Sequence, residues 1–460
     1  MRIIHTSDWH LGQYFYGKNR FFEHQQFLTW LLEQVEQHHV DAVIVAGDIF
    51  DTGTPPSYAR EMYFDFIAKI AKLNCSLILL AGNHDSVAML SESKQVLASL
   101  LAQVITTAEP NNIAQQVIAI KDNTGAAQAL VCAIPFIRPR DVINSEAGQS
   151  AEHKKQQLQQ AISEHYQQTF AHAKKIKADL NDNNIPIIAT GHLTTVGVTT
   201  SDSVRDIYIG TLAAFPANDF PNADYIALGH IHKPQIVAKS EHIRYCGSPI
   251  PLSFDEAKHS KQVLMVDFEK GNLSSITGLV VPRFQAMAMV KTTLDNLVID
   301  VEKLVAQHQH LLIEDNSNKS SNKKKLEKKK LEKKKLWLDI EIESADYLND
   351  LHKQINQLTQ DLPIEILLVR RTKEARQQMA NSTDKTILTE LSLQDVFNKR
   401  LALENWQTAA QQAQQQRLNT LFQEVVGAVV NKVVDEEKEQ MSKETTTQVI
   451  AESTNVEHKQ

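Results

Sequence analysis

Five short apolar runs, each followed by side chains that can bind a metal ion, constrain the fold of this chain more than any other feature. Runs of four to eight apolar residues bounded by glycine are typical of buried β-strands. In open α/β sheets, functional side chains gather where such strands end. The sequence therefore predicts an α/β fold in which five strand ends meet at one edge. The runs are Arg2–Ser7, which is mixed with polar residues, and Ala42–Ala46, Leu77–Ala81, Ile187–Thr190 and Tyr225–Leu228.

The segments that end these runs carry carboxylate, imidazole and amide groups. Taken singly, each is equally typical of a polar turn. Their co-occurrence at strand ends favours one site for two cations roughly 3.5–4 Å apart, which need a shared carboxylate and suit chemistry at phosphorus. We expect Asp48 to be that carboxylate. The segments are Asp8-Trp9-His10, Gly47-Asp48, Gly82-Asn83-His84-Asp85, Gly191-His192 and Gly229-His230-Ile231-His232.

The cysteines are distant from these segments, so a thiolate zinc site is not expected. Oxygen and imidazole ligands instead favour Mn²⁺, Fe²⁺ or Zn²⁺. The three cysteines lie in or beside apolar runs, which is typical of buried free thiols in a reducing compartment. They are Cys75, Cys132 and Cys246.

Length and charge limit the possible partners. A chain of 460 residues with 42% hydrophobic content predicts two or three structural units. The formal net charge of −7 argues against general electrostatic attraction to nucleic acid, so any such contact must be local. Candidates lie near the strand ends, although an ordinary solvated surface explains any single one at least as well. They are Tyr14, Tyr16, Lys18, Arg20, Arg138 and Arg140.

The chain begins with a strand-like run rather than a secretory signal. No apolar run approaches the roughly 20 residues needed to cross a bilayer. The sequence therefore predicts a cytoplasmic protein that does not enter a membrane.

The ordered series of ligand segments resembles the calcineurin-like metallophosphoesterase superfamily. Within it, the opening stretch Met1–Gly12 is similar to the SbcD family, the nuclease subunits of bacterial SbcC–SbcD complexes. The resemblance runs from Met1 to about Val430 and is broken by one lysine-rich stretch. Further matching stretches are Ala46–Gly53, Ala189–Thr195, Tyr245–Phe254 and Leu367–Arg371.

The resemblance implies an α/β fold, with a two-sheet metallophosphoesterase sandwich flanked by helices, a small α/β cap domain and C-terminal helices. Helical spacing also predicts helices at Phe27–Val35, Tyr58–Leu73 and, on the surface, Glu152–Leu180. The expected divisions are a nuclease domain at 1–283, a cap domain at 284–375, a helical partner-docking segment at 385–434 and a polar tail at 435–460.

A lysine-rich insertion at 317–335 interrupts the predicted cap. Its ten lysines and two glutamates give a local charge of +8, which leaves −15 for the rest of the chain. Leu326, Leu331 and Leu336 recur every five residues, so each steps about 140° around a helix and no apolar stripe forms. We expect a solvated, disordered or partly helical insertion; a DNA-contacting arm is the alternative.

Late in the chain, apolar residues recur with helical spacing over about four turns. Such a stripe either packs on its own domain or enters the groove of a partner. The resemblance favours a partner, a coiled-coil ATPase of the SbcC type. The candidate docking residues are Leu418, Leu421, Phe422, Val425, Val426 and Val429.

The resemblance also implies a role for each site residue. It assigns Asp8, His10, Asp48 and His232 to one Mn²⁺, and Asp48, Asn83, His192 and His230 to the other, with Mg²⁺ or another divalent ion as an alternative. His84 is left to face the scissile phosphate and to stabilise or protonate the leaving group; the alternative is that it only orients Asn83. Asp51 and Asp85 are candidates for holding the ligating or catalytic histidines in place.

The implied function is that of a Mn²⁺-dependent DNA nuclease, a double-strand 3′→5′ exonuclease and single-strand or hairpin endonuclease. It would act with the ATPase in DNA repair, recombination and replication, as a homodimer within a heterotetramer at the nucleoid. The alternative is a small-molecule phosphodiesterase or phosphomonoesterase. Protein phosphatases of the superfamily carry an arginine shortly after Gly-Asp, and its absence from Asp48–Thr54 favours diesters. A scaffold without chemistry is disfavoured because every ligand position is filled.

Overall fold

Two six-stranded mixed sheets carry the ligand segments, and a separate three-stranded sheet follows them in the chain. The computed structural model describes residues 1–143, 150–204, 214–312, 334–343, 348–372, 393–402, 404, 406 and 411–426. The strands are β1 Arg2–Thr6, β2 Tyr14–Phe15, β3 Lys18–Asn19, β4 Ala42–Val45, β5 Ser76–Leu80, β6 Ala102–Ile105, β7 Val117–Lys121, β8 Ala127–Cys132, β9 Ile187–His192, β10 Tyr225–Gly229, β11 Gln235–Val237, β12 Ser240–Tyr245, β13 Gln262–Glu269, β14 Asn272–Val280, β15 Met287–Thr292, β16 Leu336–Ile342 and β17 Ile364–Arg371.

Helices cover the outer faces of the sheets and connect the strands. Short 3₁₀ helices span Pro110–Gln116, Ala217–Asp219 and Asp255–Lys258. A further helix covers residues 411–426. The α-helices before it are α1 Phe21–Gln37, α2 Ser57–Lys72, α3 Val87–Glu92, α4 Lys94–Ala98, α5 Pro139–Val142, α6 Ala151–Asp179, α7 Leu297–Gln307, α8 Gln309–Leu312, α9 Leu348–Thr359 and α10 Leu393–Ala402.

In the first sheet the strand order is β14-β13-β1-β4-β5-β6, and in the second it is β11-β12-β10-β9-β8-β7. Strands β1, β4, β5 and β6 run parallel to one another, as do β12, β10, β9 and β8. All five predicted ligand-bearing runs are therefore parallel strands, which confirms the predicted α/β fold. Their ends differ from the predicted ones by at most two residues.

Alternation of side chains along the strands explains how the two sheets pack. In β4, Ala42 and Ile44 point into an apolar cluster shared with residues of the second sheet, such as Ile188. Their neighbours Val43 and Val45 point the other way, into a cluster with α1 and α2. Because successive residues of a strand face opposite sides, each strand lies between two apolar layers. The result is a two-sheet sandwich with helices outside, as expected.

Helix α6 was expected at the surface, but it covers the outer face of the second sheet. Leu158, Ile162 and Tyr166 are buried along it. The Tyr166 hydroxyl donates to the Thr190 carbonyl at 3.0 Å, shortly before His192. The helix therefore supports the end of a ligand-bearing strand, and the prediction of a purely surface role was wrong.

The three-stranded sheet has the parallel order β15-β16-β17, with α7 and α9 packed on it. It meets the sandwich through an aromatic contact, in which the rings of Phe15 and Trp337 stack with centroids 6.0 Å apart. Lys18 and Glu365 form an ion pair of 2.6 Å across the same contact. The cap elements are present as expected; the division at 283 stays a prediction. Residues 317–333 of the lysine-rich insertion and the polar tail lie outside the described residues.

The apolar stripe of the C-terminal helix packs partly on its own chain. Phe422 stacks on Phe397 of α10 with ring centroids 4.1 Å apart, and Val426 packs against the core beside α1 and α2. Leu421 and Val425 are exposed by 45% and 61%. Phe422 and Val426 are thus correct as apolar contact residues but wrong as a free surface, because spacing alone cannot tell which face is already covered. Val429 lies outside the described residues.

The three cysteines are buried and free, as predicted. Among the helices that can be described, none is sufficiently long and apolar to cross a bilayer.

Candidate metal centre

The five ligand segments converge where β1, β4 and β5 of the first sheet and β9 and β10 of the second sheet end. Strands β9 and β10 pair in parallel with Gly229 opposite His192, which sets those two ends side by side. The loop after β1 is held to the loop after β4 by a hydrogen bond from the Asp8 amide to the Gly47 carbonyl at 3.0 Å. Parallel register thus fixes the relative positions of segments that are distant in sequence.

Four of the predicted ligands have a left-handed backbone. The φ angles are 53° at Asp8, 47° at His10, 50° at Asp48 and 90° at His230. Such angles are uncommon for residues other than glycine, and each costs on the order of 1–3 kcal/mol. The surrounding structure imposes them, which is typical of sites where side-chain position matters more than local stability.

Two glycines are required because other groups approach them closely. A Cβ at Gly82 would lie 2.1 Å from Asp48 Oδ1, and one at Gly229 would lie 1.9 Å from the Ala46 carbonyl oxygen. Any larger residue would push the two sheets apart at the ligands. These glycines are therefore part of the site although they bring no ligand atom.

The predicted ligands come together in two groups. In the first, one donor atom each of Asp8, His10 and His232 lie within 4.8 Å of one another. In the second, donor atoms of Asp48, His192 and His230 meet the same limit. The side chains in both groups are buried, so neither is an ordinary acidic surface cluster.

Asp48 lies between the two groups. Its Oδ2 is 3.2 Å from His192 Nε2 and 3.6 Å from His10 Nε2. Burial raises the pKa of Asp48, but the charges of His192 and His84 hold it well below its usual range. Burial in turn lowers the pKa of His192, while the Asp48 carboxylate raises it to about 9. One carboxylate thus faces histidines of both groups.

Asn83 joins the second group through its side-chain oxygen. Asn83 Oδ1 is 2.9 Å from His192 Nε2 and 3.1 Å from His230 Nδ1. An amide oxygen between two imidazoles fits a shared cation better than it fits hydrogen bonding alone, because Asn83 Oδ1 cannot donate to either ring.

The donor set fits divalent metal ions. Within the described residues, His10 Nε2 and His230 Nε2 are buried without a hydrogen-bond partner. Buried polar atoms are rarely left unsatisfied, and each costs about 1–3 kcal/mol when it is. Carboxylate, amide and imidazole donors match Mn²⁺, Fe²⁺ or Zn²⁺. The residues therefore fit the two cations that the sequence predicts.

His84 is half-buried and close to both groups. Its ring lies 4.6 Å from that of His10, and a donor atom of His84 meets the 4.8 Å limit with His10 and Asp48. Its Nδ1 is 2.7 Å from the Asp51 carbonyl oxygen, and its amide donates to Asp48 Oδ1 at 2.9 Å. This position is compatible both with a role toward substrate and with a ligand role.

The two predicted supporting carboxylates behave differently. Asp51 Oδ1 is 3.1 Å from His10 Nδ1, the contact that an orienting role requires. Asp85 instead accepts backbone amides of Ile49, Phe50 and Gly82 at 3.1, 2.9 and 2.8 Å. Burial and the neighbouring Asp48 raise the pKa of Asp85 to about 6. Asp85 therefore ties two ligand loops together rather than contacting a histidine as expected.

Sequence reasoning missed the groups that contact two of the histidines. His192 Nδ1 is 2.8 Å from the Ala46 carbonyl oxygen, and His232 Nδ1 is 3.3 Å from Glu256 Oε1. Backbone carbonyls leave no mark in a sequence. Glu256 belongs to a short 3₁₀ helix with no distinctive spacing, so only the tertiary structure reveals it.

Among the proposed nucleic-acid contacts, Arg20 and Arg138 prove to be structural. Arg20 is buried and forms an ion pair of 2.6 Å with Glu23. Arg138 donates to carbonyl oxygens at Thr106 and Asp85. Isolated positive charges cannot be distinguished from such buried anchors by sequence, and the prediction of a surface position was wrong for Arg20.

Comparison with known families supports the same site. A calcineurin-like phosphoesterase model matches residues 1–234. A second model, described as the Type 5 capsule protein repressor C-terminal domain, matches residues 283–405. The first model covers every ligand segment, and the second begins where the predicted cap begins.

Close relatives cover nearly the whole chain. The SbcD protein of the SbcCD nuclease of Escherichia coli strain K12 is 50% identical over 422 residues, which cover 92% of this chain and 97% of that protein. The SbcD proteins of Rhodobacter capsulatus and Bacillus subtilis are 34% and 30% identical, each over 59% of this chain and 67% of their own length. The chain therefore belongs to the SbcD family of calcineurin-like phosphoesterases and is a metal-dependent phosphodiester hydrolase.

Proposed function

We propose that this chain is a Mn²⁺-dependent DNA nuclease that hydrolyses double-stranded ends from 3′ to 5′ and cuts single strands and hairpins. The observation that carries the proposal is the position of Asp48, 3.2 Å from His192 and 3.6 Å from His10, where one carboxylate can serve two cations. Relatives named as parts of a nuclease supply the substrate class. Repair, recombination and replication are the processes in which such an activity would act.

The chain's own residues hold and orient the reacting groups. Asp8, His10, Asp48 and His232 would bind one cation, and Asp48, Asn83, His192 and His230 the other. When bound, the pair supplies Lewis-acid stabilisation of phosphate charge and lowers the pKa of water from 15.7 to about 7. The rigid strand ends keep the ligand loops fixed, so the phosphate meets a prearranged site.

His84 is the proposed acid for the leaving group. Its contact with the Asp51 carbonyl occupies Nδ1 as a donor and fixes the ring. A half-buried imidazole beside the ligands can hold a proton close to working pH and give it to the departing oxygen. An adjacent Asn83 ligand keeps the ring near the substrate without requiring it to bind metal.

We expect His84→Gln to lower the turnover of a phosphodiester by about 10²–10⁴-fold, because general acid catalysis contributes that much. Mn²⁺ binding should be retained, since the ligands remain. Hydrolysis rates and Mn²⁺ titration by electron paramagnetic resonance measure the two effects. Full activity would remove His84 from catalysis, and lost Mn²⁺ binding would make it a ligand.

The substrate class can be tested with simple esters. A bis-aryl phosphodiester and an aryl phosphomonoester, each with Mn²⁺ present, separate the diesterase from the monoesterase alternative. We expect the diester to be favoured because the segment after Asp48 lacks the arginine that grips a terminal phosphate. Linear double-stranded DNA labelled at either end then distinguishes a nuclease from a small-molecule phosphodiesterase and reports polarity.

The proposed macromolecular partners are a coiled-coil ATPase of the SbcC type and DNA. The exposed apolar residues Leu421 and Val425 on the C-terminal helix are the part of the predicted docking stripe that remains available. A homodimer within a heterotetramer, in the cytoplasm and at the nucleoid, is the corresponding assembly. Its support is that the relatives are named as one component of an SbcCD nuclease.

A further inference from the structure

Glu256 is a buried carboxylate at the centre of a dense polar network next to His232. Its Oε2 accepts from Lys261 Nζ at 2.5 Å and from the Leu252 amide at 3.0 Å. Its Oε1 accepts from Ser201 Oγ at 2.7 Å and also from Ser203 Oγ. A buried ionised carboxylate needs such partners, because leaving it unpaired would cost several kcal/mol.

The network reaches His232 through two contacts. Ser203 Oγ is 2.6 Å from His232 Nδ1, and Lys261 Nζ donates to the His232 carbonyl oxygen at 3.0 Å. Because the Ser203 hydroxyl donates to Glu256, its oxygen is left to accept from His232 Nδ1–H. This hydrogen-bond chain places the ring proton on Nδ1 and leaves the Nε2 lone pair facing Asp8 Oδ1, 4.0 Å away.

Two other histidines of the site have the same arrangement with different acceptors. Nδ1 of His10 faces the Asp51 carboxylate and Nδ1 of His192 faces the Ala46 carbonyl. His232 is distinct because its acceptor is a serine hydroxyl backed by a carboxylate. Its acceptor strength therefore depends on residues from two different loops, at 203 and 256.

We propose that Ser203 and Glu256 are positioning residues that fix the tautomer and orientation of His232 and thereby set the affinity of the metal site formed by Asp8, His10 and His232. Lys261 keeps the carboxylate charged and anchors the His232 backbone at the same time. The inference rests on the proposed assignment of His232 as a ligand. Partners behind a ligating histidine commonly change metal affinity by about 10–100-fold.

The test is a Mn²⁺ titration of the metal-free, full-length protein followed by electron paramagnetic resonance. We expect Ser203→Ala to weaken one class of Mn²⁺ sites by about tenfold or more. Ser203→Thr should restore wild-type affinity because it keeps the hydroxyl. Glu256→Gln should weaken the same class, and metal-free thermal unfolding identifies any variant whose fold has failed.

Ser201→Ala is the matched control. It removes a 2.7 Å hydrogen bond from the same Glu256 oxygen but keeps the Ser203 hydroxyl beside His232. We expect its Mn²⁺ affinity to stay within about twofold of wild type, well short of the 10–100-fold range. Equal loss in Ser201→Ala and Ser203→Ala, or no loss in a folded Ser203→Ala, would overturn the inference.

His232→Ala separates this inference from the proposed ligand assignment. If His232→Ala leaves both classes of Mn²⁺ sites intact, the assignment of His232 is wrong. If it removes one class while Ser203→Ala and Glu256→Gln do not weaken it, the assignment holds and only the positioning role fails.

Discussion

At the scale of single residues, the metal centre depends on backbone conformation as much as on side-chain chemistry. Asp8, His10, Asp48 and His230 all have positive φ, which ordinary strand ends avoid. Hydrogen bonds between the ligand loops, such as that from the Asp8 amide to the Gly47 carbonyl, hold these angles in place. Substituting a neighbour such as Gly82 would therefore disturb the site without removing a ligand.

His5 connects the two sheets beneath the site. Its Nδ1 is 2.8 Å from the Tyr225 hydroxyl and its Nε2 is 3.2 Å from the Leu228 carbonyl. Burial lowers the pKa of His5 to about 3, whereas an unfolded histidine titrates near 6.5. Below about pH 6.5 the unfolded chain binds a proton that the folded chain refuses, so acid favours unfolding.

We therefore expect the free energy of unfolding of wild-type protein to fall by about 2 kcal/mol more than that of His5→Gln when the pH drops from about 7 to about 5. Urea unfolding in the presence of a chelator measures the difference and leaves other titrating groups common to both proteins. An equal pH dependence in the two proteins would show that His5 does not contribute.

At the scale of elements, the C-terminal helix has two apolar faces with different surroundings. Phe422 and Val426 contact α10 and the sandwich, whereas Leu421 and Val425 face outward. The inward contacts explain how a late helix stays attached to the molecule. The outward pair is small, and it marks the part of the helix that a partner could cover.

We expect the double variant Leu421→Glu and Val425→Glu to lose co-purification with the cognate SbcC-type ATPase, because two buried charges would oppose docking. Phosphodiester hydrolysis by the isolated protein should persist. Gln412→Glu with Gln416→Glu is the control, because it adds the same charge on another face of that helix. Normal assembly of the Leu421 and Val425 variant would argue against this surface.

Truncation after Met379 extends that test. Removing the whole segment should also abolish assembly while preserving hydrolysis. Loss of folding instead would show that the helix serves mainly its own chain.

At the scale of the whole molecule, the site joins the two sheets. Asp8, Asp48 and Asn83 follow strands of the first sheet, and His192 and His230 lie at strand ends of the second. A cation held by both sets stabilises only the folded sandwich, and any such ligand shifts the unfolding equilibrium by mass action.

Mn²⁺ at about 100 times its dissociation constant should add about 2.7 kcal/mol to the free energy of unfolding, and chelation should remove it. Asp48→Ala should abolish the shift because both cations lose a ligand. Differential scanning calorimetry with and without Mn²⁺ measures it, and Asp65→Ala, an exposed carboxylate on α2, is the control. A full shift in Asp48→Ala would contradict the bridging role.

The parts of this molecule that sequence could predict are those encoded locally. Apolar runs that end in glycine and ligand residues determine both a strand and the position of its loop, so the five strands and their convergence were predictable. The environment of Arg20, the backbone contacts of Asp85 and the approach of Glu256 to His232 depend on residues brought together by the fold. No spacing rule reports such contacts, because tertiary packing alone creates them.

The arrangement of the ligands along the chain has a consequence for synthesis. Asp8 leaves the ribosome early, whereas His230 and His232 follow only after the second sheet has begun to form. A growing polypeptide shorter than this cannot hold the complete pair of cations. The nascent enzyme is consequently inert toward phosphodiesters in its surroundings until the second sheet has been translated.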